Sequence, residues 1–173
     1  MDISKTVNNQ KSFFHSNVTK EVNLRIETLK KLKLILKENE DKLYTAIYTD
    51  FKKSQFETYL TELSLIYNEI NDAISNLKKW SKQKRVSTNL ANFPAKSYII
   101  PEPLGIILVI SAWNYPYQLS LIPAISAIAA GNTVVIKPSE IPNNTSKILA
   151  ELINTNFDEN HLTIIEGGVE TTR

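Results

Sequence analysis

The 173 residues carry a formal net charge of +2 with 42% apolar and 22% charged side chains, a globular balance that favours neither a disordered nor a fibrous class and is too weakly basic to announce a nucleic-acid partner. The sequence holds no cysteine, which excludes disulfides, thiolate metal ligands and a cysteine nucleophile within it. The length suits one domain or one and a fraction. Residues 1–17 lack an apolar core after a basic start, so the expected location is cytoplasmic.

Residues 1–80 read as helices. Val22, Ile26, Leu29, Leu32 and Leu36 recur at intervals of three and four, an apolar stripe opposite a Lys- and Glu-rich face. Asn39 is the expected N-cap of the next helix, with Leu43, Ile47 and Phe51 on its inner side. Ser54-Gln55-Phe56-Glu57 fits a capping box, in which hydroxyl and carboxylate each satisfy an orphan backbone N–H. Tyr59, Leu63, Ile66, Ile70, Ile74 and Leu77 then carry one inner stripe to about Trp80. That helix can pack within the domain or against a partner chain, and core packing is the expectation.

The one basic cluster is Lys78-Lys79-Trp80-Ser81-Lys82-Gln83-Lys84-Arg85. Phosphate or membrane contact is its functional reading. Cations that complement a helix C-terminus and then solvate a linker explain the run without a ligand, and that is the expectation. Residues 86–96, with Pro94, read as connection, and Ser97-Tyr98-Ile99-Ile100 as a short strand. Pro101 and Pro103 keep the next segment extended, at a sheet edge or in an arm.

From Pro103 to Ile136 no side chain is charged. A membrane span needs about 20 apolar residues, but the punctuation of this stretch argues for burial in protein instead. Ile106-Ile107-Leu108-Val109-Ile110 and Thr133-Val134-Val135-Ile136 are short β-branched runs of the kind that form strands buried on both faces. Between them lie a turn, Trp113-Asn114-Tyr115-Pro116, and an apolar helix ending in the C-cap chemistry of Ala129-Ala130-Gly131-Asn132. Pro142 suits the first turn of a further helix with Ile148, Leu149, Leu152 and Ile153 inside, and Leu162-Thr163-Ile164-Ile165 is a third strand. The fold class is α/β: N-terminal helices followed by a partial doubly wound, Rossmann-like parallel sheet. Three strands with a missing flank would expose apolar surface, so the sequence reads as truncated. Residues 1–103 are expected to form a helical region followed by an extended strand or arm, and residues 104–173 a dinucleotide-binding domain incomplete at its C-terminus.

Ligands of an open parallel sheet bind at the carboxyl ends of its strands, and two polar clusters fall there. Asn114 can donate to a developing oxyanion, with Trp113 walling a cofactor channel. The same residues equally suit an Asx turn ahead of Pro116. Lys137-Pro138-Ser139-Glu140 places an acid and a cation where ribose hydroxyls or a 2′-phosphate are gripped, leaving NAD and NADP open. A solvated strand end with a Ser cap and a neighbouring ion pair explains it as well. The four glycines form no G-x-G-x-x-G spacing. No metal motif is present, and His15 and His161, read as surface imidazoles, receive no role.

The run PLGIILVISAWNYPYQLSLIPAISAIAAGNTVVIKPSE, followed by EGGVETT and preceded by YIIPEPLG, closely resembles the aldehyde dehydrogenase superfamily, in particular its class 3 and fatty-aldehyde type. The resemblance covers nearly the whole chain. It implies that Asn114 helps stabilise the oxyanion formed when a thiolate adds to an aldehyde, that Trp113 lies along the nicotinamide side of the cofactor, and that Lys137 and Glu140, with Ser139 beside them, hold the adenosine ribose of NAD or NADP. The family reaction oxidises an aldehyde to a carboxylic acid through a thiohemiacetal on a cysteine. This sequence carries the cofactor and oxyanion motifs without that nucleophile, so as a separate polypeptide it is expected to be inactive. A non-enzymatic dinucleotide-binding fragment, or an interaction fragment that pairs as an oligomer through the helices and arm, are the other readings.

Overall fold

Helix α1 (Ile3–His15) starts where the Asp2 carboxylate accepts the Lys5 N–H at 3.1 Å. The computed structural model describes residues 2–172. Helix α2 (Val22–Glu38) buries Ile26, Leu29, Leu32 and Leu36, the expected stripe, with Val22 half-buried at its rim. Helix α3 (Glu40–Phe51) begins after Asn39 as expected, but the Asn39 amide donates backward to the Ile35 carbonyl at 2.9 Å and does not cap the new helix. Glu40 and Asp41 in its first turn complement the dipole instead.

At Ser54 the hydroxyl accepts the Glu57 N–H at 3.1 Å and starts α4 (Gln55–Thr58), which runs through a π-helical turn, Tyr59–Leu63, into α5 (Ser64–Trp80). The wider turn shifts the inner face, so the single stripe expected from Tyr59 onward breaks here. Tyr59 is turned out, while Thr58, Glu62 and Leu63 are fully buried, and Ile66, Ile70 and Leu77 continue inward.

The basic cluster divides. Lys78 and Lys79 sit in the last turn of α5, whereas Lys84 and Arg85 belong to β1 (Lys84–Val86), which pairs antiparallel with β2 (Ser97–Ile99). The expected strand is β2; its partner was hidden because three exposed residues, two of them cationic, carry no strand pattern.

The central unit is β3 (Ile106–Ile110), α6 (Pro116–Ala129), β4 (Thr133–Lys137), α7 (Asn143–Asn156) and β5 (Leu162–Ile164), a parallel sheet in the order β3-β4-β5. All five residues of β4 are buried. Val109, Val134, Ile136, Leu162 and Ile164 face α6 and α7, and the same core continues through α6 into α2 and α5. Burial of β3 on both faces does not hold: Leu108 and Ile110 are each 57% exposed. As the edge strand it points alternate residues to the face opposite α6, which α1 covers only in part. Among the described residues no helix is long and apolar enough to cross a membrane.

Gly131 ends α6 at φ +91°, a conformation L side chains rarely adopt. It also makes room for Arg25, whose buried guanidinium donates to the carbonyls of Thr19 at 2.7 Å, Lys20 at 2.8 Å and Ala129 at 3.2 Å. A cation thus meets the negative end of a helix that has no charged residue of its own.

Candidate functional site

The register that pairs Ile110 with Lys137 brings both sequence motifs to one edge of the sheet. Just beyond the last pair, the Ser111 N–H donates to the Lys137 carbonyl at 3.0 Å, so Trp113-Asn114 and Lys137-Pro138-Ser139-Glu140 leave adjacent strands side by side. This is the carboxyl end, where open parallel sheets take their ligands.

Asn114 is exposed, and none of the described residues hydrogen-bonds its carboxamide, which leaves its N–H donors open. The alternative Asx turn is therefore not formed. Trp113, 53% exposed, stacks on Phe51 with ring centroids 6.5 Å apart. Tyr115 lies under the Lys53 ammonium, 4.5 Å from its ring centroid. Pro116 then opens α6, which has no side-chain cap and no acidic residue in its first turn. Its orphan donors are met from elsewhere: Glu62 Oε2 accepts the Tyr117 N–H at 2.8 Å and the Gln118 N–H at 3.2 Å. The other carboxylate oxygen of Glu62 pairs with Lys53 Nζ at 2.8 Å, both side chains being almost wholly buried. The Tyr117 hydroxyl donates to the Leu43 carbonyl at 2.8 Å, and burial, with the Glu62 charge adding to it, raises its pKa and keeps it a phenol.

At the second motif, Lys137 is buried and its ammonium pairs with Glu140 Oε2 at 3.1 Å. The backbone N–H of Glu140 and that ammonium hold the exposed carboxyl below the ordinary carboxylate range. The ion pair weighed from sequence is thus formed. Ser139 orders the turn: its Oγ accepts the Ile141 N–H at 3.3 Å and its carbonyl accepts the Ser146 hydroxyl at 2.7 Å. Helix α7, again without an acidic first turn, is capped by Asp50, which accepts from Thr145 N at 2.8 Å, Thr145 Oγ1 at 2.7 Å and Asn144 Nδ2 at 2.8 Å. Burial works to raise the Asp50 carboxyl, but these bonds prevail and its pKa lies below the ordinary value.

A cavity of about 170 Å³ lies between the two strand ends of β4 and β5, lined by Glu140, Asn143, Ser146, Glu166, Gly167 and Gly168. The Glu140 carboxylate, on the β4 side of this cavity opposite the Glu166-Gly167-Gly168 turn, suits the hydroxyls of a ribose, and Lys137, paired with Glu140, suits an added phosphate. Among the described residues no group of three or more His, Asp or Glu side chains is placed to hold a metal. The reading of His161 as a surface imidazole fails: it is 6% exposed, with Phe13 of α1 at a centroid distance of 5.7 Å.

A sequence profile described as the aldehyde dehydrogenase family matches residues 1–173, the whole chain. The chain belongs to the aldehyde dehydrogenase family. Among curated relatives, a 4,4'-diaponeurosporen-aldehyde dehydrogenase of Staphylococcus aureus is 46% identical over 163 residues, covering 94% of this chain and 36% of the relative. Aldehyde dehydrogenase family 3 member B2 of Mus musculus is 41% identical over 168 residues, covering 97% and 35%. A solved structure of Staphylococcus aureus AldH in a substrate-bound state superposes with a TM-score of 0.97 at 44% identity, covering 99% of this chain and 38% of that one. The chain thus spans about a third of the length of the relatives it matches, and the class 3 resemblance agrees with the family 3 match.

Within this aldehyde dehydrogenase chain, Asp50, Phe51, Lys53 and Glu62 are the residues that sequence reasoning missed. Their contacts with the strand-end turns and the starts of α6 and α7 span 55 to 95 positions, beyond any local pattern. One signal pointed toward them: α6 and α7 both begin without an acidic residue in the first turn, so each needs a carboxylate from another element.

Proposed function

We propose that this chain is the N-terminal part of an NAD- or NADP-dependent aldehyde dehydrogenase that oxidises aldehydes to carboxylic acids, with residues 1–103 as helical scaffold and arm and residues 104–173 as the start of the dinucleotide-binding domain. The observation that carries this reading is the pairing of an unbonded, exposed Asn114 with the Lys137–Glu140 pair at neighbouring ends of a parallel sheet, in a chain that matches the family throughout.

In this reading the Asn114 carboxamide donates to the aldehyde oxygen as it gains negative charge. Removing one such donor typically lowers kcat by about 100- to 1,000-fold. Glu140 accepts from the ribose hydroxyls and Lys137 donates to them, Ser139 keeps their turn in shape, and Trp113 walls the channel. A bound nicotinamide would supply the hydride acceptor. The attacking thiolate comes from outside these 173 residues, which contain no cysteine. The exposed apolar tips of the β1–β2 arm, Leu90 and Phe93, support a homo-oligomer as part of the same reading.

The test is a chimera in which residues 1–173 replace the matching segment of the Staphylococcus aureus relative. Expected are aldehyde-dependent formation of reduced nicotinamide, a loss of about 100-fold or more in kcat with Asn114→Ala, and a raised cofactor KM with Glu140→Gln. A chimera indifferent to both substitutions sinks the proposal.

A further inference from the structure

We propose that Glu62, acting with Lys53, is a positioning residue for Asn114: its buried carboxylate sets the loop that aims the Asn114 donor at the oxyanion. The inference rests on the reading of Asn114 as an oxyanion donor. Asn114 has no hydrogen bond from its own side chain among the described residues, so its placement depends on its neighbours. Each neighbour is gripped by the same stretch of the helical region. Trp113 stacks on Phe51, Tyr115 lies under Lys53, and the Tyr117 and Gln118 amides donate to Glu62. The Lys53–Glu62 ion pair ties the last two grips into one unit.

Stability alone is a poor reason for this arrangement. Two charges this deeply buried lose their hydration, and well-packed apolar residues of the same volume commonly serve a fold as well or better. What an apolar pair cannot do is accept two backbone N–H groups at the start of α6 while holding a cation over Tyr115. The π-helical turn supports the same conclusion, since it is the local irregularity that turns Glu62 inward beside Leu63, both fully buried. Turns of this kind are frequent at functional sites.

In the same chimera, Glu62→Gln keeps an oxygen for the two amides but removes the charge that holds Lys53. Lys53→Met removes the cation above Tyr115 and leaves the Glu62 cap. Expected is a fall in kcat of about 10- to 100-fold for Glu62→Gln, the scale of a displacement of about 1 Å in a reacting group, a smaller fall for Lys53→Met, and an unchanged cofactor KM. Because Glu62 acts through Asn114, adding Glu62→Gln to Asn114→Ala should lower kcat no further. A merely structural role would instead reduce activity by the same factor in both backgrounds. Equal factors, or kcat within about twofold of the parent for both single variants, overturn the inference while leaving the oxyanion reading intact. A chimera indifferent to Asn114→Ala overturns that reading and this inference together. If Glu62→Gln does not fold, the same comparison with Lys53→Met decides the matter.

Discussion

Glu62 Oε2 lies 2.8 Å from the backbone nitrogen of Tyr117, a residue 55 positions further along the chain. Through that contact the negative charge of one element satisfies the positive end of another, because α6 supplies neither a cap nor an acid of its own. Arg25 does the converse at the other end, donating to the Ala129 carbonyl at 3.2 Å. An uncharged helix between two strands is thereby given charges of the right sign at both termini by the N-terminal helices, which ties the helical region to the site-bearing turns.

Removing the Glu62 carboxylate without its partner should be severe. Glu62→Leu leaves Lys53 buried and unpaired, and loss of one member of a buried pair typically costs about 3–5 kcal/mol. The double variant Lys53→Met, Glu62→Leu removes both charges, so it should recover about 1 kcal/mol or more relative to Glu62→Leu. Urea denaturation of the four proteins measures this. A double variant less stable than the sum of the singles contradicts the account.

Asp50 makes the corresponding contact at α7, and its loss should be milder because the carboxylate is only half-buried. Asp50→Ala should cost about 0.5–2 kcal/mol, the range for a helix cap. Its folded pKa lies below the ordinary value. The stabilisation is therefore present above the ordinary carboxylate range and is lost as pH falls through the lowered folded value. Asp50→Asn should flatten that part of the acid-unfolding curve, and an unchanged curve would count against the contact.

The sheet unit was legible because its signals are local. Ile106–Ile110 and Thr133–Ile136 are β-branched runs, Pro116 and Gly131 mark the helix between them, and the two polar clusters stand at the strand ends. What was not legible depends on chain segments meeting at a distance. Leu108 has the sequence appearance of a residue buried on both sides, yet whether a face is covered depends on which element lies over it, and at β3 that is α1 in part only. Likewise Glu62 reads as one more polar residue in a helical stripe, since a π-helical turn has no recognisable pattern and its partners lie on α6. Asn114 and Glu140 could be placed from sequence at the carboxyl ends of neighbouring strands. The residues that hold their turns could not.

Gly131 offers a further test, where backbone and side-chain reasons act together. A Cβ at this position would stand 2.7 Å from Arg25 Nη2, and the backbone is already at φ +91°. The guanidinium cannot step aside freely, because it is donating to three buried or half-buried carbonyl sites around the end of α6. Gly131→Ala should cost about 1–3 kcal/mol, the range for a residue forced into a disfavoured backbone region. Combined with Arg25→Ala, the substitution should add less than it does alone, because only the backbone strain remains. Thermal unfolding of the single and double variants distinguishes strain from collision.

His161 should make stability fall on mild acidification. Burial lowers its pKa below the ordinary value of 6.5, with Asp158 opposing the shift. The unfolded chain then takes up a proton at His161 before the folded one does. Stability from this group is full above the ordinary value, falls as pH drops below it, and levels off beneath the lowered folded value. The imidazole packs against Phe13 of α1, the helix whose Gln10 amide donates to the carbonyls of Val134 at 3.1 Å and Glu159 at 2.9 Å. Protonation should therefore loosen α1 first, before the core of α2, α5 and α6 opens. Urea midpoints measured from neutral to mildly acidic pH should slope downward for the parent and be flatter for His161→Leu. Hydrogen exchange should show the earliest loss of protection in α1. Parallel slopes for parent and variant would mean that another group governs this pH range.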